Sequence, residues 1–240
     1  MSTSEGGKFD AIFIADVLGV YDDLNGNVDA TVRQAAQIPV NDPLQVVPPT
    51  AAVTRDLGFG LTASVSFEHP TPSRAAFRPS IISPKAARPG ILSPLISTAA
   101  YLDSGAKNIG LTGQIDHDER YEIAEEYVEV CYKLWEGSSE DGAVQRDKAR
   151  GIFADPAKLH PIRYKGRYFE TPGVHLCEPS LQRTPLLFQA GSSPRGKRFA
   201  GKHTKCVFVS QPSKAALKKS VASIRAAALE AGRKSSAIKI

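Results

Sequence analysis

Short apolar runs and longer stretches with three- and four-residue apolar spacing take turns along this chain. Residues 9–14 (FDAIFI) form a compact apolar run closed by Ala15-Asp16, which predicts a buried strand. Asn41-Asp42-Pro43 opens a helix whose apolar residues continue through Val53. Residues 57–67 (LGFGLTASVSF) predict a second strand, ending at Glu68-His69-Pro70. From Asp118 onward, Tyr121, Ala124, Val128, Cys131 and Trp135 recur at helical steps until Gly137 stops them. Residues 186–190 predict another strand, followed by Gly191-Ser-Ser-Pro-Arg-Gly196 and a helix to about His203. Residues 206–209 predict a strand, 214–231 an Ala- and Lys-rich helix, and 238–240 the start of one more strand.

Strands alternating with helices predict parallel pairing and an α/β fold. The strand runs are continuous rather than alternating, which suits a sheet covered on both faces. No internal repeat is present. Residues 71–94 break the rhythm: they carry Pro72, Pro79, Pro84, Pro89 and Pro94 and follow neither period. A structureless stretch of that length is unusual inside a compact domain.

Composition narrows the class. Of 240 residues, 42% are hydrophobic and 23% charged, as in ordinary globular proteins. No apolar run reaches the ~18–20 residues that a membrane helix needs, and residues 1–8 lack the basic start and apolar stretch of a secretory signal. Cys131, Cys177 and Cys206 are odd in number and far apart, which argues against a disulfide framework and a cysteine zinc site. A reducing, cytoplasmic setting without a metal is therefore expected. The net charge is +5. Between His69 and Leu102, however, Arg74, Arg78, Lys85 and Arg88 meet no acid, and the remainder of the chain is close to neutral. One proline-rich stretch is not a nucleic-acid footprint.

Several positions carry candidate chemistry. Residues 191–197 (GSSPRGK) follow a strand, open a helix and nearly match the phosphate loop GxxxxGK[ST]. Arg198 stands where the magnesium-binding hydroxyl belongs, and Pro194 removes a backbone donor, so a nucleoside triphosphate site is rejected. Helix-start N–H groups, Ser192, Ser193 and Arg195 could still hold one phosphate; equally, Ser192 or Ser193 is a plain N-cap. His117 and Tyr121 stand four apart at a helix start and can share a face, or simply belong to a capped, half-exposed turn. Asp16 ends a buried strand, where α/β proteins bind ligands or place turn aspartates. His69 ends another strand, as an acid–base group or a structural histidine. Glu122, Glu125, Glu126 and Glu129 read as a solvated helix face. Phe153, Tyr164, Tyr168 and Phe169 read as core or loop packing.

Six blocks stand in order: FDAIFIADVLGVYD (9–22), QIPVNDPL (37–44), GFGLTASVSFEHP (58–70), YLDSGAKNIGL (101–111), HDERYEIAEEYVEVCYKLWEGS (117–138) and HLCEPSLQRTPLLFQAGSSPRG (175–196). Together they resemble the nitrilotriacetate monooxygenase component A group of the bacterial luciferase-like, FMN-dependent monooxygenases. That group has relatives acting on long-chain alkanes and dibenzothiophene sulfone. The resemblance covers residues 9–70 and 99–211. It implies an α/β fold of the (β/α)8 TIM-barrel type and a two-component system. A separate NAD(P)H:flavin reductase would supply reduced FMN, and O2 would be the co-substrate for oxygenating a small organic substrate. By the family pattern Asp16 lies near the flavin ring, while His117, Tyr121, Ser192 and Ser193 hold the ribityl chain or phosphate. No catalytic residue is assigned. A homo-oligomer is compatible with the pattern; nucleic acid and membrane are not expected partners.

The resemblance has two departures. Members carry a strand before Phe9 and a long portion after Ile240, so residues 1–240 are expected to be a single partial domain, a barrel lacking its N-terminal strand and C-terminal units. Residues 77–94 also stand where members carry a segment like STLDHLTxGRxxWNIVT. One permitted codon choice for FRPSIISPKAARPGILSP, read two nucleotides later, spells STLDHLTKGRPAWNIVT. Residues 71–97 are accordingly expected to be aberrant, either disordered or a frameshifted translation. The expected function is a flavin-dependent monooxygenase. The alternative is an inactive, truncated or frameshifted paralogue retaining weak FMN or phosphate binding.

Overall fold

The computed structural model describes residues 7–22, 24–54, 57–71, 92–97, 102–180 and 182–240. Five strands form one parallel sheet: β1 (Ala11–Ile14), β2 (Gly58–Ser64), β3 (Leu92–Ser97), and then, after two hairpins, β8 (Phe188–Ala190) and β9 (Cys206–Phe208). The hairpins pair β4 (Val144–Asp147) with β5 (Ile152–Ala154) and β6 (Tyr164–Lys165) with β7 (Glu170–Thr171). The sheet order is β1-β2-β3-β8-β9, so each strand lies beside its predecessor in the wall. A parallel bridge between Cys206 and Lys239 continues the wall where residues 238–240 predict a strand.

The wall is rolled. Five flat strands at ~4.8 Å spacing would hold β1 and β9 about 19 Å apart. Instead Phe13 of β1 and Phe208 of β9 bring their rings to 5.1 Å, and Phe188 stacks on Phe208 at 5.8 Å. Gly60 makes the room. It pairs with Phe13, and a Cβ there would stand 2.8 Å from the Phe13 ring.

Side-chain alternation sorts the two faces. Ile12, Ile14, Phe59, Leu61, Ala63, Leu187 and Val207 point outward into three apolar clusters under the helices. Helix α1 (Asp29–Gln34) follows β1, and α2 (Val47–Val53) covers β1 and β2 through Val47 and Ala51. Helix α3 (Asp103–Asn108) follows β3. Helix α4 (His117–Tyr132) buries Tyr121, Ala124, Tyr127, Val128 and Cys131 together with Leu187 and Phe199. Helices α5 (Pro194–His203) and α6 (Lys214–Glu230) enclose Val207 with Ala200, Ile224 and Ala228. Each fully buried apolar side chain of this layer contributes on the order of 1.5–3 kcal/mol. The helices described here cover the outer face, and Phe13, Phe188 and Phe208 lie on the inner one.

Residues 92–97, inside the stretch set apart as aberrant, form β3. It pairs with β2 over six residues, from Phe59↔Leu92 to Ser64↔Ser97, but with β8 only at Leu95↔Phe188. Pro94 has no N–H to give to either ladder. Residues 72–91 and 98–101 lie outside the described residues, and with them most of the frameshift expectation. Among the described residues, no helix is long and apolar enough to cross a membrane.

Candidate functional site

The C-terminal ends of parallel strands collect at one rim of the wall, and there the candidate residues are found. Helix α4 starts one residue earlier than its pattern predicts. Asp116 caps it, its carboxylate accepting the N–H groups of Asp118 at 2.9 Å and Glu119 at 3.4 Å. Those backbone hydrogen bonds hold the Asp116 carboxyl below its ordinary range. His117 is the first helical residue, with Nδ1 2.8 Å from Asp118 Oδ1 and its ring edge-on to Tyr121, the ring centroids 5.2 Å apart. Sharing of one helix face by His117 and Tyr121 is thus observed.

Tyr121 joins this helix to the loop after β8. It is 3% exposed, and its ring packs 5.8 Å from Phe199 of α5. Its hydroxyl lies under the turn 191–196. A Cβ on Gly196 would stand 2.5 Å from it, and one on Gly191 would stand 3.1 Å away. Only glycine lets the backbone come so close to the phenol. Gln189, the middle residue of β8, is fully buried and donates from Nε2 to the Tyr121 hydroxyl at 3.5 Å. Its Oε1 has no partner among the described residues.

Ser193 is the N-cap of α5: its Oγ accepts the Gly196 N–H at 3.0 Å. Both readings of this serine survive, because the hydroxyl proton remains available after the cap is made. Ser192 is exposed. The structure thus brings His117, Tyr121, Ser192 and Ser193 to one corner of the rim. Asp16 lies at the same end of the sheet, three strands away, its N–H donating to Thr62 Oγ1 at 3.0 Å. His69 follows β2, with Nδ1 accepting the Thr71 N–H at 3.2 Å and its ring edge-on to Phe169 at 5.6 Å.

The glutamates of α4 are not a uniformly solvated face. Glu125 accepts from Lys202 Nζ at 2.6 Å and lies 2.8 Å from His203 Nε2, tying α4 to α5. Burial opposes its ionisation, but the hydrogen bonds from His203 and Lys202 outweigh burial and hold the carboxyl at about 2. Glu126 accepts the N–H groups of Arg167, Tyr168 and Phe169 at 3.0, 3.0 and 2.8 Å, clasping the β6–β7 hairpin. Of the aromatics read as packing, Phe169 does pack, 5.8 Å from Tyr127, whereas Phe153 is 65% exposed. Sequence reasoning missed Gln189. Its signal was a polar residue closing the apolar run LLF.

Comparison with known proteins decides the family. The pattern described as luciferase-like monooxygenase matches residues 103–240. The chain belongs to that family. A long-chain alkane monooxygenase of Geobacillus thermodenitrificans is 48% identical over 98% of this chain and 52% of its own length. A dimethyl-sulfide monooxygenase of Hyphomicrobium sulfonivorans is 47% identical over 98% of this chain and 48% of its own. Nitrilotriacetate monooxygenase component A of Aminobacter aminovorans, whose group the sequence resembles, is 31% identical over 99% of this chain and 52% of its own. The chain spans about half the length of these relatives. A crystal structure of a long-chain alkane monooxygenase superposes with a TM-score of 0.88 at 48% identity, covering 98% of this chain and 53% of that one. A riboflavin lyase solved with modified FMN and riboflavin superposes at 0.83 and 35% identity, covering 96% and 50%.

The corner at Tyr121 suits the phosphate of a flavin mononucleotide. A loop of two glycines lies over a buried hydroxyl, two serine hydroxyls flank it, and Arg195 opens the helix beside it. The loop backbone approaches closely enough to exclude any side chain.

Proposed function

We propose that this chain carries the flavin-binding part of an FMN-dependent monooxygenase. Reduced FMN would come from a separate NAD(P)H:flavin reductase, with O2 as co-substrate and a small organic molecule as the oxygen acceptor. The observation that carries the reading is the junction of Tyr121 with Gly191, Ser193 and Gly196 at the rim of a luciferase-like wall. When bound, reduced FMN supplies the electrons that activate O2. The chain's own residues bind and orient it. Ser192, Ser193, Tyr121 and the Arg195 guanidinium offer donors to the phosphate. His117, whose Nδ1 is 2.8 Å from Asp118 and whose ring meets Tyr121 edge-on, would by the family pattern hold the ribityl chain or phosphate. Asp16 lies across the rim on the side assigned to the flavin ring. The clustered rings of Phe13, Phe188 and Phe208 would offer apolar surface on the inner face of the wall.

The experiment is a single-turnover assay. The chain is mixed anaerobically with photoreduced FMN, then with O2 and candidate alkane or organosulfide substrates, and the oxygenated product is quantified. Product formation in proportion to protein supports the reading, and flavin binding without product removes the oxygenase claim for this chain.

A second reading has its own observations. β3 meets β8 at one residue pair, Pro94 has no N–H to give to the ladder, and Phe208 is 45% exposed. These features suit an inactive paralogue that retains only weak FMN or phosphate binding. Genomic and transcript sequencing across codons 70–100 separates its origins. A transcript that spells a WNIVT-like segment in another frame makes the written stretch an artefact, and one that spells the written residues makes the lesion real.

A further inference from the structure

We propose that Gln189 is a positioning residue for the flavin phosphate: it holds the Tyr121 hydroxyl as an acceptor and so directs that hydroxyl's proton toward the phosphate. The inference rests on the phosphate site proposed above. It is carried by where Gln189 stands. Along the wall, the outward positions that meet the helices are Ile12, Ile14, Phe59, Leu61, Ala63, Leu187 and Val207. Gln189 takes the next outward position of β8 after Leu187, at 0% exposure, in the apolar layer. Filling that space requires no amide, and a leucine there would leave no oxygen unpaired.

The amide is aimed at the loop. Gln189 Nε2 donates to the Tyr121 hydroxyl at 3.5 Å and lies 3.3 Å from where a Gly196 Cβ would stand. Its Oε1 has no partner among the described residues. A phenol oxygen that accepts from Nε2 must point its own proton elsewhere, and the turn 191–196 is what faces it. A flavin phosphate presents acceptors to that turn, so a hydroxyl fixed as donor binds it and a hydroxyl free to rotate binds it less well. Gln189 never touches the ligand; it acts through Tyr121.

The test compares FMN with riboflavin, which lacks only the phosphate. Affinities of the purified chain for both flavins, reduced under anaerobic conditions, are read by flavin fluorescence. In Gln189→Met, FMN affinity is expected to fall about threefold to tenfold, the loss of one oriented hydrogen bond, while riboflavin affinity stays within about twofold. Gln189→Glu offers an acceptor to the phenol, reverses the hydrogen bond and adds negative charge behind the phosphate; its FMN affinity is expected to fall more than about tenfold. In a Tyr121→Phe background, Gln189→Met should change nothing further. If Gln189→Met does not fold, Gln189→Asn, which withdraws the amide by one methylene, takes its place under the same criteria. Equal losses for both flavins, or a full Gln189 effect without the Tyr121 hydroxyl, overturn the positioning role while the phosphate site stands. Equal affinities of the unaltered chain for FMN and riboflavin overturn the phosphate site itself, and the role of Gln189 with it.

Discussion

Replacing Gly196 with alanine tests the junction between loop and helix. The added Cβ would stand 2.5 Å from the Tyr121 hydroxyl, 3.1 Å from Ser193 Oγ and 3.3 Å from Gln189 Nε2. Something must move by nearly an ångström, and Tyr121 has nowhere to go. It is 3% exposed, with Phe199 on one side and His117 on the other. Overpacking of this kind costs about 1–3 kcal/mol. In a chain of this size, ~2 kcal/mol corresponds to a fall in Tm of about 4–8 °C. The same displacement pulls the loop from its phosphate-binding geometry, so FMN affinity should fall about tenfold or more. Tyr121→Phe removes the atom that the new methyl strikes. The double variant should therefore recover most of the lost Tm and none of the lost FMN affinity. Thermal unfolding by circular dichroism and flavin titration read the two quantities separately. An unchanged Tm in Gly196→Ala, or a double variant no more stable than the single one, would refute the close approach on which the site is built.

Other outcomes follow from the same contacts. Glu125 titrates at about 2 in the folded chain against 4.5 when unperturbed, so its contribution is complete above about pH 4.5 and is lost as pH falls toward 2. After discounting for solvent screening it amounts to about 1–2 kcal/mol; Glu125→Gln should flatten the acid limb of Tm against pH, and an unaltered limb would deny the clamp with Lys202 and His203. Glu126→Ala leaves three hairpin N–H groups without their acceptor. Limited proteolysis should then cut within residues 164–171 faster than in the unaltered chain, and equal cutting rates would mean that the hairpin is held by its apolar contacts alone. Ser193→Ala removes both an N-cap worth about 1 kcal/mol and a phosphate donor, whereas Ser192→Ala removes only a donor. Both should weaken FMN binding but only the first should lower Tm, and equal effects on stability would contradict the capping assignment.

The strands and long helices were legible because burial writes itself into composition. β1, β2 and α4 to α6 coincide with apolar runs or three- and four-residue steps. The shorter elements were not. α1, α3 and the two hairpins are short and polar, and distant partners brace the hairpins, as when Glu126 gathers the N–H groups of residues some forty positions away. For the same reason a helix face lined with Glu122, Glu125, Glu126 and Glu129 looks solvated: periodicity reports which side is polar, not what docks on it. At the site, residue types and the strand–loop–helix context of 191–196 singled out Ser192 and Ser193, and helical spacing put His117 with Tyr121. That these two sets meet was beyond sequence spacing, since the contact runs through two glycines whose importance is the absence of a side chain. Gln189 was hidden for the opposite reason. A polar residue at the end of a strand is commonplace until the fold buries it.

The most direct test of the phosphate corner is a crystal structure of the chain with FMN bound. Phosphate oxygens are expected within hydrogen-bonding distance of Tyr121 Oη and of the Ser192 or Ser193 hydroxyl, with the flavin ring reaching across the rim toward Asp16. A phosphate bound elsewhere, with the turn 191–196 still closed on Tyr121 and empty, would contradict it.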